Sequence, residues 1–269
     1  MSNKKSTNIV LALLGIAVVL MSGCRKQASP IPVASLNVVN ALPTSAPLIL
    51  VQGSITPEIG KFLGIGTLPY ASTAVLTAPS GAESFYVVQQ NADTTSINAQ
   101  GGDFMFNSTL NFIAGGIYSL FITGVDTTSP DFLFVRDVLP VIKDSSVGIR
   151  FVNLSTGSNP ISINLEGSQN GSEVTNLPYK NITSFKQYTN NSTTIDYLFV
   201  VRDAATGDSL TQFDFLASGS SNNGNGLTDP SNSYNNGTLL TFKNVTIAIY
   251  GSESSISSNP LSTMLTDNY

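Results

Sequence analysis

Few side chains in this chain can do chemistry. There is no histidine and a single cysteine, Cys24, against 17 aspartates and glutamates. Without histidine there is no Ser-His-Asp or Cys-His triad, no His-based zinc site and no imidazole base near neutral pH. Ser-x-x-Lys occurs only at Ser2 to Lys5, ahead of the N-terminal apolar run, and no Walker A loop or Gly-x-Gly-x-x-Gly turn opens another route. The carboxylates leave one chemistry open, because two of them about 5–9.5 Å apart could cleave a glycosidic bond. Spacing along the chain does not tell which would meet. Asp203 and Asp208 flank Ala204-Ala205-Thr206-Gly207 and read as a hairpin turn, with calcium or catalytic use as the competing reading. No cofactor or metal site is expected.

The cysteine sits in a specific setting. Lys4 and Lys5 precede an unbroken apolar run over residues 9–21, too short for a membrane span of about 20 residues but suited to a signal peptide. Leu20-Met21-Ser22-Gly23-Cys24 follows, with small side chains at Ser22 and Gly23. This resembles the lipobox of bacterial lipoproteins, with Met21 where Leu is usual. The resemblance implies cleavage between Gly23 and Cys24, removal of residues 1–23 as a signal peptide, and acylation of the Cys24 thiol. Each buried methylene contributes about 0.8 kcal/mol, so several chains, palmitate among them, anchor stably. The membrane, reached through lipid on Cys24, is thus the first expected partner.

Composition agrees. The 12 Lys and Arg, less the two lost with residues 1–23, leave 10 against 17 Asp and Glu, a net charge of −7. That balance argues against nucleic acid. With Cys24 acylated no disulfide can form, so the fold must rest on its core. Arg25-Lys26-Gln27 lacks the acidic residues that follow the cysteine in surface-exported lipoproteins of Bacteroidota. The periplasmic side of the outer membrane is therefore expected over the cell surface.

Residues 24–32 read as a lipidated tether, polar and proline-bearing. From Val33 onward, short period-2 or apolar runs alternate with Gly, Pro, Asn, Asp and Ser, the pattern of a sandwich or barrel. Only residues 57–63 could make a helical turn. An internal repeat organises the rest. Leu36-Asn37-Val38-Val39-Asn40 is echoed by Ile149-Arg150-Phe151-Val152-Asn153, and Pro47-Leu48-Ile49-Leu50-Val51-Gln52-Gly53 by Pro160-Ile161-Ser162-Ile163-Asn164-Leu165-Glu166-Gly167. Leu68-Pro69-Tyr70 returns as Leu177-Pro178-Tyr179, and Tyr118 to Gly124 as Val245 to Gly251. A period above 100 residues marks duplicated domains, not a solenoid. The expected domains are 33–142 and 146–252, with 253–269 as a C-terminal tail. In the inner faces, Val38 should meet Leu50, and Phe151 or Val152 should meet Ile163. Residues 218–237, rich in Ser, Asn and Gly, form an insertion in the second copy.

Each copy has an N-terminal strand ending in Asn, a Pro-led second strand ending in Gly, a Leu-Pro-Tyr element and a closing strand ending in Gly. This is similar to domain of unknown function 4397 (DUF4397), found in tandem in Bacteroidota envelope lipoproteins. The resemblance implies an all-β chain of two tandem immunoglobulin-like β-sandwich domains and no assigned activity. Asp93-Thr94-Thr95, Asp126-Thr127-Thr128 and Asp208-Ser209-Leu210 resemble O-glycosylation acceptors of those bacteria and equally suit turns. Tyr70 and Tyr179 could stack on sugars, or be buried or corner tyrosines of the sandwich. The expectation for function is a non-enzymatic binding or structural module presenting its domains to an envelope protein or glycan. The alternative is a carboxylate-dependent hydrolase acting in an interdomain cleft.

The anchor is directly testable. Cys24→Ala should abolish metabolic palmitate labelling and membrane fractionation; a mutant that pellets with membranes as the wild type does would refute the lipobox reading.

Overall fold

Alternation builds the strands. In β1 (Val33–Asn40), Leu36 and Val38 point one way and Asn37 and Val39 the other, the two-residue period of a pleated strand. The computed structural model describes residues 31–43, 46–53, 61–90, 104–189, 196–216, 243–252 and 259–268, and in them the chain is all-β. The first sandwich continues with β2 (Leu48–Gln52), β3 (Lys61–Leu68), β4 (Ser72–Pro79), β5 (Gly81–Gln89), β6 (Phe104–Phe112), β7 (Ile117–Gly124) and β8 (Pro130–Arg136). Its two sheets have the orders β4-β1-β7-β8 and β3-β2-β5-β6. β1 runs antiparallel to β4 and parallel to β7. Leu36, Val38, Leu48, Leu50, Phe85, Val87, Leu120 and Ile122 fill the space between the sheets.

The second sandwich comprises β9 (Ser146–Ser155), β10 (Ile161–Leu165), β11 (Val174–Leu177), β12 (Lys186–Thr189), β13 (Asp196–Asp203), β14 (Ser209–Leu216), β15 (Asn244–Gly251) and β16 (Ser262–Asn268). Its sheets, β12-β9-β15-β16 and β11-β10-β13-β14, repeat the first pair strand for strand, parallel β9–β15 pairing included. The duplication expected from the repeat, and the two β-sandwiches that the resemblance implies, are therefore present. Val38 and Leu50 share the first core, and Phe151, not Val152, joins Ile163 in the second.

Two expectations are corrected. Residues 262–268 are not a tail: β16 pairs antiparallel with β15 along its whole length and closes the sheet edge. Lys61, Phe62 and Leu63, expected in a helical turn, begin β3, where pairing with β2 sets the backbone; residues 57–60 lie outside the described residues.

The repeated motif has a physical reason. The Asn40 amide donates to the carbonyls of Leu68 and Pro69, both at 3.0 Å, and its oxygen accepts from Leu42 N at 3.1 Å. Asn153 does the same, donating to Leu177 O and accepting from Ser155 N, each at 2.9 Å. The residue after each Leu-Pro-Tyr takes a left-handed backbone, φ 56° at Ala71 and 60° at Lys180, and donates its N–H to the carbonyl of that asparagine. The strand-ending glycines are equally constrained. A Cβ on Gly124 would lie 2.4 Å from Ser129 O, and one on Gly251 2.4 Å from Pro260 O, closer than any side chain permits.

Both sandwiches belong to one compact unit, Pro32–Tyr269. The sheet containing β1 and β7 lays its outer face on the sheet containing β9 and β15. Val39, Ala41 and Phe121 meet Val152, Leu154, Ala248, Tyr250 and Met264 there. The two central sheets are thus covered on both faces, and every position of β9 and β15 is buried. Such strands read as continuous apolar runs, with little alternation to show which side faces which neighbour.

A buried ion pair crosses this seam. Arg150 Nη2 lies 2.7 Å from Asp137 Oδ1, with 5% and 0% of the two side chains exposed. Arg150 Nε donates to Thr246 Oγ1 at 2.7 Å, and its guanidinium lies 4.6 Å above the Phe185 ring. Asp137 Oδ2 also accepts from Ser119 Oγ at 2.8 Å and Asn268 Nδ2 at 2.9 Å. Burial pulls the guanidinium below its ordinary pKa, and Asp137 opposes that by charge and hydrogen bond. At the equivalent place in the first copy, Asn37 is fully buried and neither of its amide atoms has a partner among the described residues.

Asp137→Asn should lower stability by about 3–5 kcal/mol in denaturant unfolding, since it leaves an unpaired buried cation. Arg150→Met combined with Asp137→Leu should cost far less. Truncation after Ser252 removes β16 and Asn268, and should lower the melting temperature by more than 10 °C; a true tail would leave it unchanged.

Candidate functional site

The seam opens at one pole into a cleft of about 300 Å³. It lies where β1, β7, β9 and β15 end, so equivalent positions of the two copies form opposing walls: Ala41 and Leu154, Gly124 and Gly251, Val125 and Ser252. Thr156 and Asn259 add a hydroxyl and an amide to its lining. Gly124 and Gly251 are in the left-handed half of backbone space, which lets the chain turn sharply away from the strand ends there. Behind the cleft, Thr123 Oγ1 donates across the seam to Leu154 O at 2.9 Å. No aspartate or glutamate lines the cleft among the described residues.

Tyr70 and Tyr179 flank this seam. Tyr70, from the first copy, meets Tyr250 of the second edge-on, with ring centroids 5.6 Å apart. Tyr179, from the second copy, brings its hydroxyl to 3.5 Å from Thr123 Oγ1 of the first. The repeated tyrosines thus reach across to the opposite sandwich. The open sugar platform is thereby corrected; the structural reading of buried or corner tyrosines holds in part, since both rings are half-buried, but against the opposite sandwich. The physical cause is docking of the copies, which half-buries each ring against its neighbour. Burial raises the pKa of both phenols, with Tyr250 adding to the effect at Tyr70 and Asp131 at Tyr179.

The carboxylates near the seam are tied to cations. Asp131 Oδ1 lies 2.6 Å from Lys180 Nζ, and Asp137 is held by Arg150. Asp203 forms the expected turn: Oδ1 accepts from Ala205 N at 2.7 Å and Thr206 N at 3.0 Å, and Oδ2 accepts from Asn159 Nδ2 at 2.8 Å. The Asn159 bond, with these backbone donors, holds its pKa below the ordinary carboxylate value. Gly207, at φ 80°, completes the hairpin, and Asp208 N donates to Thr206 Oγ1 at 3.2 Å. Asp126 likewise closes a turn, accepting from Thr128 N at 2.8 Å and Thr128 Oγ1 at 2.6 Å. Among the described residues, no three acidic or thiol side chains gather as a metal site. Gly23, Cys24, Asp93 and residues 218–237 lie outside the described residues.

Sequence reasoning missed Arg150, Thr123 and Asn268. A charged residue inside the apolar run Ile149-Arg150-Phe151-Val152 was the signal available for the first, since a cation there requires a buried partner. Nothing marked the other two.

No family model matches the chain, and no curated protein matches it. Among solved structures, a multi-modular glycogen-degrading pneumococcal virulence factor, SpuA, aligns over 70% of this chain at 9% identity and a TM-score of 0.23, and this chain spans only 20% of it. A streptococcal family 41 carbohydrate-binding module, described as recognising alpha-glucan, aligns over 68% of this chain and 88% of its own, at 11% identity and a TM-score of 0.21. A candidate adhesin from Bacteroides ovatus aligns over 89% and 97%, at 10% identity and a TM-score of 0.22. Likeness this remote carries neither fold nor function to the present chain.

Proposed function

We propose that the chain is a lipid-anchored envelope protein of the tandem DUF4397 type that holds a neutral partner in the cleft between its sandwiches. The observation that carries this reading is the cleft's construction. It is built from matched strand ends of both copies, at the pole opposite the one where the chain enters β1. Its lining is small apolar, hydroxyl and amide groups without a carboxylate among the described residues. Such a surface can accept hydrogen bonds and apolar contact from a glycan or an extended peptide, and supplies no acid–base pair to cleave either. At about 300 Å³ it lies at the small end of ligand sites, enough for one or two sugar rings or a few residues. Lipid on Cys24 would hold the opposite pole towards the membrane and leave the cleft facing away from it. Among the described residues nothing favours the hydrolase alternative: no carboxylate lines the cleft, and Asp131 and Asp137 are each engaged by a cation.

The test fills the cleft without disturbing the cores. Val125 is 64% exposed, and Thr156 is half-buried on the opposite wall. Val125→Arg and Thr156→Trp should leave the melting temperature within a few degrees of wild type. Each should weaken binding at least tenfold on a glycan array, or to an envelope protein captured by the intact lipoprotein. Unchanged binding in both variants would place recognition elsewhere on the molecule.

A further inference from the structure

We infer that the pole where the chain enters the first sandwich is a membrane-contact face, so that the lipidated protein stands on the bilayer in a fixed orientation. The inference rests on the proposed lipid at Cys24.

Four large aliphatic side chains are exposed together at this pole: Val33 (45%), Ile113 (56%), Val138 (82%) and Val141 (79%). Backbone hydrogen bonds hold them at one place. Val33 O accepts from Gly115 N at 2.8 Å, and the turn before β7 is closed by Gly116 N donating to Ile113 O at 2.9 Å. Asp137 N donates to Ile117 O at 2.8 Å, which fixes Val138 beside the start of β7. Pro140 O accepts from Asn244 Nδ2 at 3.1 Å, which fixes Val141 beside the start of β15. The next residue, Ile142, turns inward and is buried. The segment after β8 is thus held by its backbone and by Asp137 and Ile142. Val138 and Val141 are largely exposed among the described residues and add little to the packing of the sandwich.

Exposed aliphatic side chains gathered at one pole suit an interaction surface. Three observations point to a bilayer as its occupant. First, β1 begins here, and only nine residue steps separate Cys24 from Val33, a reach of at most about 30 Å even fully extended. Second, Arg136 and Lys143 are exposed beside the valines, and Arg25 and Lys26 lie in the tether, a cationic fringe in a chain that is otherwise acidic. Of the acids near this pole, Asp137 is paired with Arg150 and Asp267 with Lys243, while Asp144, which accepts from Ser146 N at 3.0 Å, keeps its charge and offsets one of these cations. Aliphatic side chains ringed by cations suit the interface of an anionic bilayer. Third, four side chains bind a membrane only weakly alone, but a short lipid tether makes the contact intramolecular and raises its effective concentration.

The chain contains no tryptophan, so single tryptophans report cleanly. The cell-made protein, as wild type and as Val138→Trp, Val141→Trp and Ala205→Trp, is reconstituted into vesicles of phosphatidylethanolamine and phosphatidylglycerol with brominated acyl chains. Ala205 is exposed in the hairpin at the opposite pole. Quenching of the first two by at least twofold, with Ala205→Trp unaffected, is expected. If the protein pellets with vesicles but all three emit alike, the face does not touch lipid and the inference is overturned. Blue-shifted, unquenched emission from Val138→Trp would mean that a second copy or another protein covers the face, which overturns it too. Mass analysis of the Cys24 peptide separates these results from failure of the anchor: an unmodified thiol refutes the lipid, and the inference falls with it.

Discussion

The rest of the molecule depends on two sheets that are buried on both faces. β9 and β15, and most of β1 and β7, lie between their own sandwich core on one side and the opposite sandwich on the other. A polar group on the seam side is costly unless it finds a partner inside the protein, because water does not reach it. Arg150 does so with Asp137, Ser119 and Thr246, and Asn268 in turn bonds Asp137 and Thr246, so the network draws on β7, β9, β15, β16 and the segment joining the two domains. The pair need not add net stability over an apolar replacement. In the observed docking every member of the network has a partner.

That docking creates what neither sandwich has alone. At one pole, strand ends from both copies diverge around a shared cleft, with Gly124 and Gly251 allowing the chain to turn away. At the other pole the linker must cross from β8 to β9, and it does so with Asp137 and Ile142 turned in and Val138 and Val141 turned out. The repeated asparagines serve the same end. By holding the Leu-Pro-Tyr carbonyls, Asn40 and Asn153 place Tyr70 and Tyr179 where each can meet the opposite domain.

Much of the fold was legible in the sequence because each copy carries its own local chemistry. Strands such as Leu48-Ile49-Leu50-Val51 and the Asn, Leu-Pro-Tyr and Gly landmarks are short-range signals, and they recur in order. The candidate site was far less legible. Its walls come from residues more than 100 positions apart, and no rule of strand pattern says which outer faces will dock. Tyr70 and Tyr179 were visible as a repeat but not as seam residues, since their partners Tyr250 and Thr123 belong to the other copy. Phe151 and Val152 could not be told apart because both faces of β9 are apolar. Ser262–Asn268 was overlooked because Ser-Thr-Met-Leu-Thr-Asp-Asn has only two large apolar side chains, Met264 and Leu265, one for the seam and one for the core. The turn at Asp203 was readable because its backbone donors, Ala205 N and Thr206 N, lie within three residues.

The central claim is that the seam makes two sandwiches one cooperative body. Differential scanning calorimetry of the whole chain tests it most directly. One transition is expected, with a calorimetric enthalpy equal to the van't Hoff enthalpy. Two resolved transitions, each carrying about half of the enthalpy, would contradict it.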